Sequence, residues 1–181
     1  MGRRAFLFFA AIVAIQGAHM FEHVVQLLQV TVFDVPEKDA LGLLGYVLQL
    51  QGTEEWLHIV FNGALLASLY ALFFPVRSAL GGRFGVGLWA FPCAVALETW
   101  HFAEHVQIIV NAIAHGGCPC PGISDPVLGV SDTVLHFFYN AVVYACMLIA
   151  FRSVLQANRA HRRREALRSR PRALRPARRR R

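Results

Sequence analysis

Apolar residues dominate four stretches of the chain, and segments rich in polar residues, glycine or proline separate them. This pattern predicts membrane-spanning helices over roughly 5–33, 55–75, 85–113 and 130–155. A spanning α-helix needs about 20 mainly apolar residues at ~1.5 Å rise each, so every stretch is long enough. The first and third are longer than a bilayer requires, and such helices tilt or extend beyond the lipid. We therefore predict an all-α, integral membrane four-helix bundle.

Composition agrees with this class. Of the 181 residues, 56% are hydrophobic, and one four-span membrane domain over 1–158 accounts for nearly all of them. Basic residues are unevenly spread, because 12 of the 18 lie in 159–181, which leaves 6 basic and 10 acidic residues, a net of −4, in the rest. The arginine-rich segment 159–181 is predicted to be a disordered basic tail.

The arginines also predict the orientation in the membrane, since cytoplasmic loops carry the excess of Lys and Arg. Arginines precede the first stretch, lie between the second and third, and follow the fourth, whereas the other two loops hold Lys38 as their only basic residue. We expect a multi-pass protein of the cell membrane with both termini cytoplasmic. The expected partners are the lipid bilayer and, for the tail, anionic lipid head groups. The tail has no aromatic residues to stack on bases, so specific nucleic-acid binding is not expected.

A set of polar residues inside the apolar stretches occurs twice. A His-x-x-Glu-His motif begins at residue 19 and again 82 residues later, and a His-x-x-x-Asn motif begins at residue 58 and again 78 residues later. The duplicated residues are His19, Glu22, His23, His58 and Asn62 in the first copy, and His101, Glu104, His105, His136 and Asn140 in the second. Because both copies run in the same direction, they predict two parallel helix-hairpin repeats, about 10–75 and 92–155, around an axis along the membrane normal.

The spacing of each motif places its side chains on one helix face, because residues at i, i+3 and i+4 are neighbours there. Counted from the inner ends, His19 and His23 lie about 21–27 Å along the first helix, and their counterparts about 24–30 Å along the third. His58 and His136 lie a few residues below the outer ends of their helices. All six histidines are therefore expected at one level, in the outer part of the membrane.

Six histidines and two glutamates at one level predict a metal centre, since inward-facing ligands from several helices build such sites in bundles. Imidazole binds zinc, copper and iron, and carboxylates favour harder ions, so two iron or zinc ions are expected, with copper also compatible. The predicted metal ligands are His19, Glu22, His23, His58, His101, Glu104, His105 and His136. Asn62 and Asn140 are expected to bind the cofactor weakly or to orient a histidine.

Glu98 and Glu104 are the candidates for handling protons in catalysis. Glu98 shares a helix face with His101 and His105, and the corresponding residue of the first copy is Gln16. A carboxylate inside a membrane costs free energy, so its presence there indicates a function. The asymmetry between Glu98 and Gln16 is therefore expected to mark the side on which a substrate or proton enters.

Two functions fit this predicted centre. The first is a metal-dependent membrane oxidoreductase acting on a lipid-soluble or periplasmic substrate. The second is an accessory or metal-sensing subunit of a larger membrane complex, without catalysis of its own. A b-type haem held by two facing histidines is the alternative cofactor, and a purely structural polar network is the remaining interpretation.

The histidine spacing is similar to that of the histidine boxes of membrane desaturases and hydroxylases, whose iron sites are histidine-rich. Those chains are longer and carry their boxes on the cytoplasmic side, whereas the site predicted here faces outward. His-x-x-Glu-His is also the pattern of inverzincin metalloproteases, in which the glutamate acts as a base. Each match covers only five residues, so the resemblance supports the chemistry more than membership of either family.

Overall fold

The computed structural model describes residues 1–48, 54–81, 85–115, 123–124 and 129–169. Its α-helices are α1 (Arg3–Thr31), α2 (Gly42–Leu48), α3 (Glu54–Leu80), α4 (Val86–Ala114) and α5 (Asp132–Arg168). A 3-10 turn at Glu37–Asp39 precedes α2. The described residues contain no strand, so the all-α prediction is confirmed for them.

In the described part of the chain, three helices are long and apolar enough to cross a membrane, by length and composition: α1, Trp56–Leu80 of α3, and α5. They correspond to the first, second and fourth predicted spans, and they indicate a membrane protein. The third predicted span is α4, which has 29 residues but does not belong to this group. Glu98, His101, Glu104 and His105 interrupt its apolar run, and all four are buried inside the bundle.

The four long helices follow one another around the bundle in the order α1, α5, α4, α3. The contacts of α3 with α4 and of α1 with α5 are similarly extensive. The contact between α4 and α5 is the most extensive, whereas that between α1 and α3 is the smallest among these packed pairs. The hairpin of the second repeat is therefore closed more tightly than that of the first.

An apolar core fills the half of the bundle away from the histidines. The ring of Phe9 in α1 packs edge to face on Phe91 of α4 and Phe151 of α5, with centroid separations of 5.5 and 5.4 Å. Such aromatic pairs contribute about 0.5–1.5 kcal/mol each beyond the area they bury. Large apolar side chains also cover the outside of the helices, for example Phe74 and Ile113, which fits contact with lipid.

Helix α5 continues past the predicted membrane domain to Arg168, so 159–168 is helical where we predicted a disordered tail. This segment is composed mainly of Arg, Ala, Glu and Leu, which all favour helix formation. His161 Nδ1 also lies 3.4 Å from Glu165 Oε2 one turn later. The rest of the predicted tail, 170–181, lies outside the described residues.

Candidate metal centre

Histidines from all four long helices meet at one level of the bundle. Their ring contacts form a continuous set, with centroid separations between 4.6 and 6.4 Å. The residues are His19 and His23 of α1, His58 of α3, His101 and His105 of α4, and His136 of α5. The structure thus brings together the six histidines that the duplicated motifs placed at a common depth.

The tightest group consists of His101, His105 and His136, which we call the α4–α5 triad. One ligand nitrogen from each residue lies within 4.8 Å of the others. Nε2 of His105 is 3.1 Å from Nε2 of His101 and 3.2 Å from Nε2 of His136. Nitrogen ligands at ~2.0–2.1 Å from a tetrahedral zinc are separated by about 3.3 Å, so a small adjustment would let all three bind one ion.

His19, His23 and His58 form the equivalent group of the first repeat, which we call the α1–α3 triad. Nε2 of His19 and Nε2 of His23 are 3.1 Å apart. The ring of His58 is 5.7 Å from that of His23 and 6.1 Å from that of His19, against 4.6 and 5.2 Å for the equivalent pairs of the α4–α5 triad. The α1–α3 triad is therefore more open, and among the described residues only the α4–α5 triad brings three ligand atoms within 4.8 Å of one another.

The triads lie directly beside each other. The rings of His58 and His105 stack with centroids 5.2 Å apart, and His136 lies 6.1 Å from His58 and 6.4 Å from His23. Two ions, one in each triad, would thus be close neighbours in a single centre.

The first turn of α5 orients the ring of His136. Its Nδ1 donates a hydrogen bond to the carbonyl oxygen of Asp132 at 2.9 Å and lies 3.0 Å from Asp132 Oδ1. Both atoms are acceptors, so the ring proton is on Nδ1 and the lone pair of Nε2 points into the triad. A carboxylate on the second nitrogen is typical of metal-binding histidines. We did not predict this role of Asp132, although its i, i+4 spacing from His136 was visible in the sequence.

Glu98 stands in a similar relation to His101. Its Oε2 lies 3.7 Å from Nδ1 of His101, both side chains are fully buried, and neither atom has a hydrogen-bond partner among the described residues. A shift of about 1 Å would bring them within hydrogen-bond distance. The structure thus places Glu98 behind a triad histidine, on the side away from the other triad nitrogens.

The two asparagines of the motifs differ in their contacts. Asn140 accepts a hydrogen bond from Gln16 Nε2 at 2.9 Å and donates to the carbonyl oxygen of His136 at 3.0 Å. Its counterpart Asn62 is fully buried, and neither side-chain polar atom has a hydrogen-bond partner among the described residues. Asn140 therefore holds helices α1 and α5 together beside the centre. The predicted cofactor role of Asn62 and Asn140 stays a prediction.

The two glutamates of the motifs bind the segments that follow α1 and α4. Glu22 accepts hydrogen bonds from the backbone amides of residues 43–44, at 2.7 and 3.1 Å. Glu104 accepts from the backbone amides of residues 123–124 and from the Ser124 hydroxyl. Neither glutamate belongs to the group of possible metal ligands in the described part of the chain. The structure does not bring them to the histidines, and their predicted role as ligands stays a prediction.

The chain matches no protein-family model, no curated protein and no solved structure. Its class is therefore defined by the fold and the site alone. The residues that the structure describes are all-helical, with three helices of membrane-spanning length and composition and a buried histidine cluster that could hold a metal ion.

Proposed function

We propose that this protein is a four-span membrane protein that binds a dinuclear metal centre near the outer membrane face. The observation that carries the proposal is the side-by-side position of two histidine triads from duplicated motifs, in each of which two Nε2 atoms lie 3.1 Å apart. Isolated buried histidines are common in protein cores. Six of them within ring contact, from two copies of one pair of sequence motifs, have the composition of a ligand set.

The chemistry of α4 supports its role as the fourth span. Its polar residues are buried within the bundle, whereas Trp89, Val110 and Ile113 are exposed on its outside. A helix with polar groups inward and apolar groups outward suits a lipid environment. Four spans would also return the chain to its starting side, which agrees with the arginine-rich cytoplasmic termini predicted from the sequence.

The donor atoms favour a bare metal over haem. A b-type haem would place its flat macrocycle between two axial histidine nitrogens. The histidine rings of this cluster instead pack against one another, with centroids 4.6–6.4 Å apart. Imidazole nitrogens suit zinc, iron and copper. We propose two ions of iron or zinc, with one histidine triad for each.

The proposed activity is that of a metal-dependent membrane oxidoreductase. Three protein ligands for each ion leave a position for a substrate or water, which is the arrangement of catalytic rather than structural metal sites. Glu98, buried beside His101, is the proposed proton-handling group. The alternative is an accessory or metal-sensing subunit, in which the same triads would store or detect an ion.

Elemental analysis and an absorption spectrum of detergent-purified protein test the proposal. We expect about two iron or zinc ions per chain and no haem Soret band, as one ion for each histidine triad requires. His101→Ala and His19→Ala should each lower the bound metal, and His115→Ala, which changes an exposed histidine outside the cluster, should leave it unchanged. A Soret band, or equal metal content in all three variants, would overturn the proposal.

A further inference from the structure

The two triads differ in burial, in the groups that support them and in what covers them. We propose that the α4–α5 triad retains its ion, whereas the α1–α3 triad is the accessible position, where a lipid-soluble molecule carrying a metal-ligating oxygen or nitrogen atom binds. This inference rests on the proposed metal centre and assigns different roles to its two halves.

Burial separates the triads first. His101, His105 and His136 are all buried, with exposed fractions of 0, 0 and 6%. In the other triad only His23 is buried, and both His19 and His58 are partly exposed. The helices that carry these two residues also contact each other least among the packed pairs. The α1–α3 triad can therefore be reached from outside the bundle.

The polar side chains beside the histidines also differ between the two triads. In the α4–α5 triad, Glu98 is close to Nδ1 of His101. Asp132 lies on Nδ1 of His136, but Glu54 holds the corresponding sequence position four residues before His58, so Asp132 does not distinguish the triads. The first repeat has Gln16 where the second has Glu98, and its amide is bonded to Asn140. A carboxylate behind a histidine raises the basicity of the ligating nitrogen, and losing such a partner lowers metal affinity about 10–100-fold. The α4–α5 triad should therefore bind its ion more tightly.

An aromatic ring covers one histidine of each triad, and the two rings differ chemically. Phe61 stacks on His19 with centroids 3.9 Å apart, and the residue 78 positions later, Tyr139, stacks on His101 at 5.2 Å. The Tyr139 hydroxyl accepts a hydrogen bond from Trp100 Nε1 at 2.9 Å and lies 3.0 Å from Ser124 Oγ.

Ser124 in turn binds Glu104, so a network of side chains closes the α4–α5 triad toward the outer loop. Phe61 has no polar group that could join such a network. The wall of the accessible triad is therefore apolar at this point. An apolar wall beside a metal ion selects a ligand that combines an apolar body with one donor atom.

Metal release to a chelator distinguishes the two positions. Protein in detergent, loaded with two zinc ions, should lose one ion fast and the other slowly, because the accessible ion meets the chelator directly. His19→Ala should remove the fast phase, and His101→Ala should remove the slow one. Glu98→Gln should speed the slow phase about 10–100-fold, since affinity changes of this kind act mainly on dissociation.

The opposite exchange is the matched control. Gln16→Glu introduces the carboxylate into the first repeat and should slow the fast phase. Release of both ions at one rate, or a slow phase that disappears in His19→Ala, would overturn the inference while the metal centre itself stood. Absence of metal from the unaltered protein is read by elemental analysis and would instead remove the proposed function.

A second measurement tests access without metal. In a chain whose four cysteines are changed to alanine, His19→Cys and His101→Cys would be exposed to a small membrane-permeant thiol reagent in lipid vesicles. We expect labelling at position 19 in the folded protein and labelling at position 101 only after denaturation. Equal labelling of the two positions would contradict the assignment of the accessible triad.

Discussion

Glu22 and Glu104 occupy the same position in the two copies of the motif, and each binds two consecutive backbone amides in the segment that follows its helix. The bonded amides lie about 20 residues further along the chain in both copies. The resemblance between the repeats therefore extends from the helices to the way in which their loops are attached. A carboxylate that accepts several amide hydrogen bonds is a strong anchor, because charge-assisted bonds exceed neutral ones.

Replacing these glutamates should loosen the loops and leave the metal in place. We expect Glu104→Gln to lower the free energy of unfolding by about 2 kcal/mol, since a buried oxygen that accepts hydrogen bonds is replaced by an amide nitrogen, which cannot accept them. Glu22→Gln should have a smaller effect, because Glu22 is less buried. Thermal unfolding and metal content, measured together in detergent, check this. Unchanged stability with loss of metal would instead identify the glutamates as ligands, as the sequence predicted.

The hydrogen bond between Gln16 and Asn140 should contribute measurably to helix packing. Asn140→Ala removes a bond between α1 and α5 and leaves a buried amide without its partner. Interhelical bonds in membrane proteins average about 0.6 kcal/mol and reach about 1.7 kcal/mol, so we expect a loss in the upper part of that range. Asn62→Ala is the matched control, because Asn62 has no side-chain hydrogen-bond partner among the described residues. Equal losses in denaturant unfolding would show that the bond to Gln16 contributes nothing.

Helical periodicity and depth predicted the meeting of the six histidines, because both follow directly from residue numbers. A count of residues gives the height of a side chain in its helix, and the i, i+4 spacing gives its face. Independent counts along four helices agreed, so His19 and His136 could be expected at one level although 117 positions separate them in the chain.

The direction of the glutamates could not be predicted in the same way. Glu22 shares a wide helix face with His19 and His23. From this face the Glu22 side chain can reach either the bundle interior or the segment that follows α1. The choice depends on backbone amides that become available only when residues 43–44 start helix α2. Such amides have no partner within their own helix, and this demand is not visible in the motif.

The difference between the triads was likewise only partly visible. The sequence showed that Glu98 of the second copy corresponds to Gln16 of the first. The copy that carries the glutamate does contain the more buried triad. The extent of helix contact, which leaves His19 and His58 partly exposed, depends on how side chains of four helices pack together. Spacing along one helix does not contain that information.

The proposed topology predicts the side from which α2 is reached. Tyr46 in α2 and Ser169 at the end of α5 are both exposed. In a chain otherwise free of cysteine, Tyr46→Cys should react with a membrane-impermeant reagent added to intact cells, because its loop lies outside. Ser169→Cys should react only after the cells are opened, since the arginine distribution places that end inside. Reaction of both positions in intact cells, or of Ser169→Cys alone, would refute the orientation.

Gly42 permits the close approach of Glu22 to the start of α2. Its φ of +71° lies in the left-handed region, and a Cβ atom there would meet Glu22 Oε2 at 2.5 Å. Gly42→Ala should therefore displace the anchor as well as strain the backbone, at a combined cost of about 2 kcal/mol. We expect faster protease cleavage within 34–54 and a lower unfolding temperature.

Two comparisons separate the contact from the backbone strain in this prediction. Gly81 also has a positive φ, of +60°, but nothing lies within 4 Å of the position that its Cβ would occupy, so Gly81→Ala measures the strain alone. In the double variant that combines Glu22→Ala with Gly42→Ala, the loss of stability should be smaller than the sum of the two single losses, because residues in direct contact give non-additive effects. Strictly additive losses in that double-mutant cycle would mean that Glu22 does not approach Gly42, and the loop would then be attached in some other way.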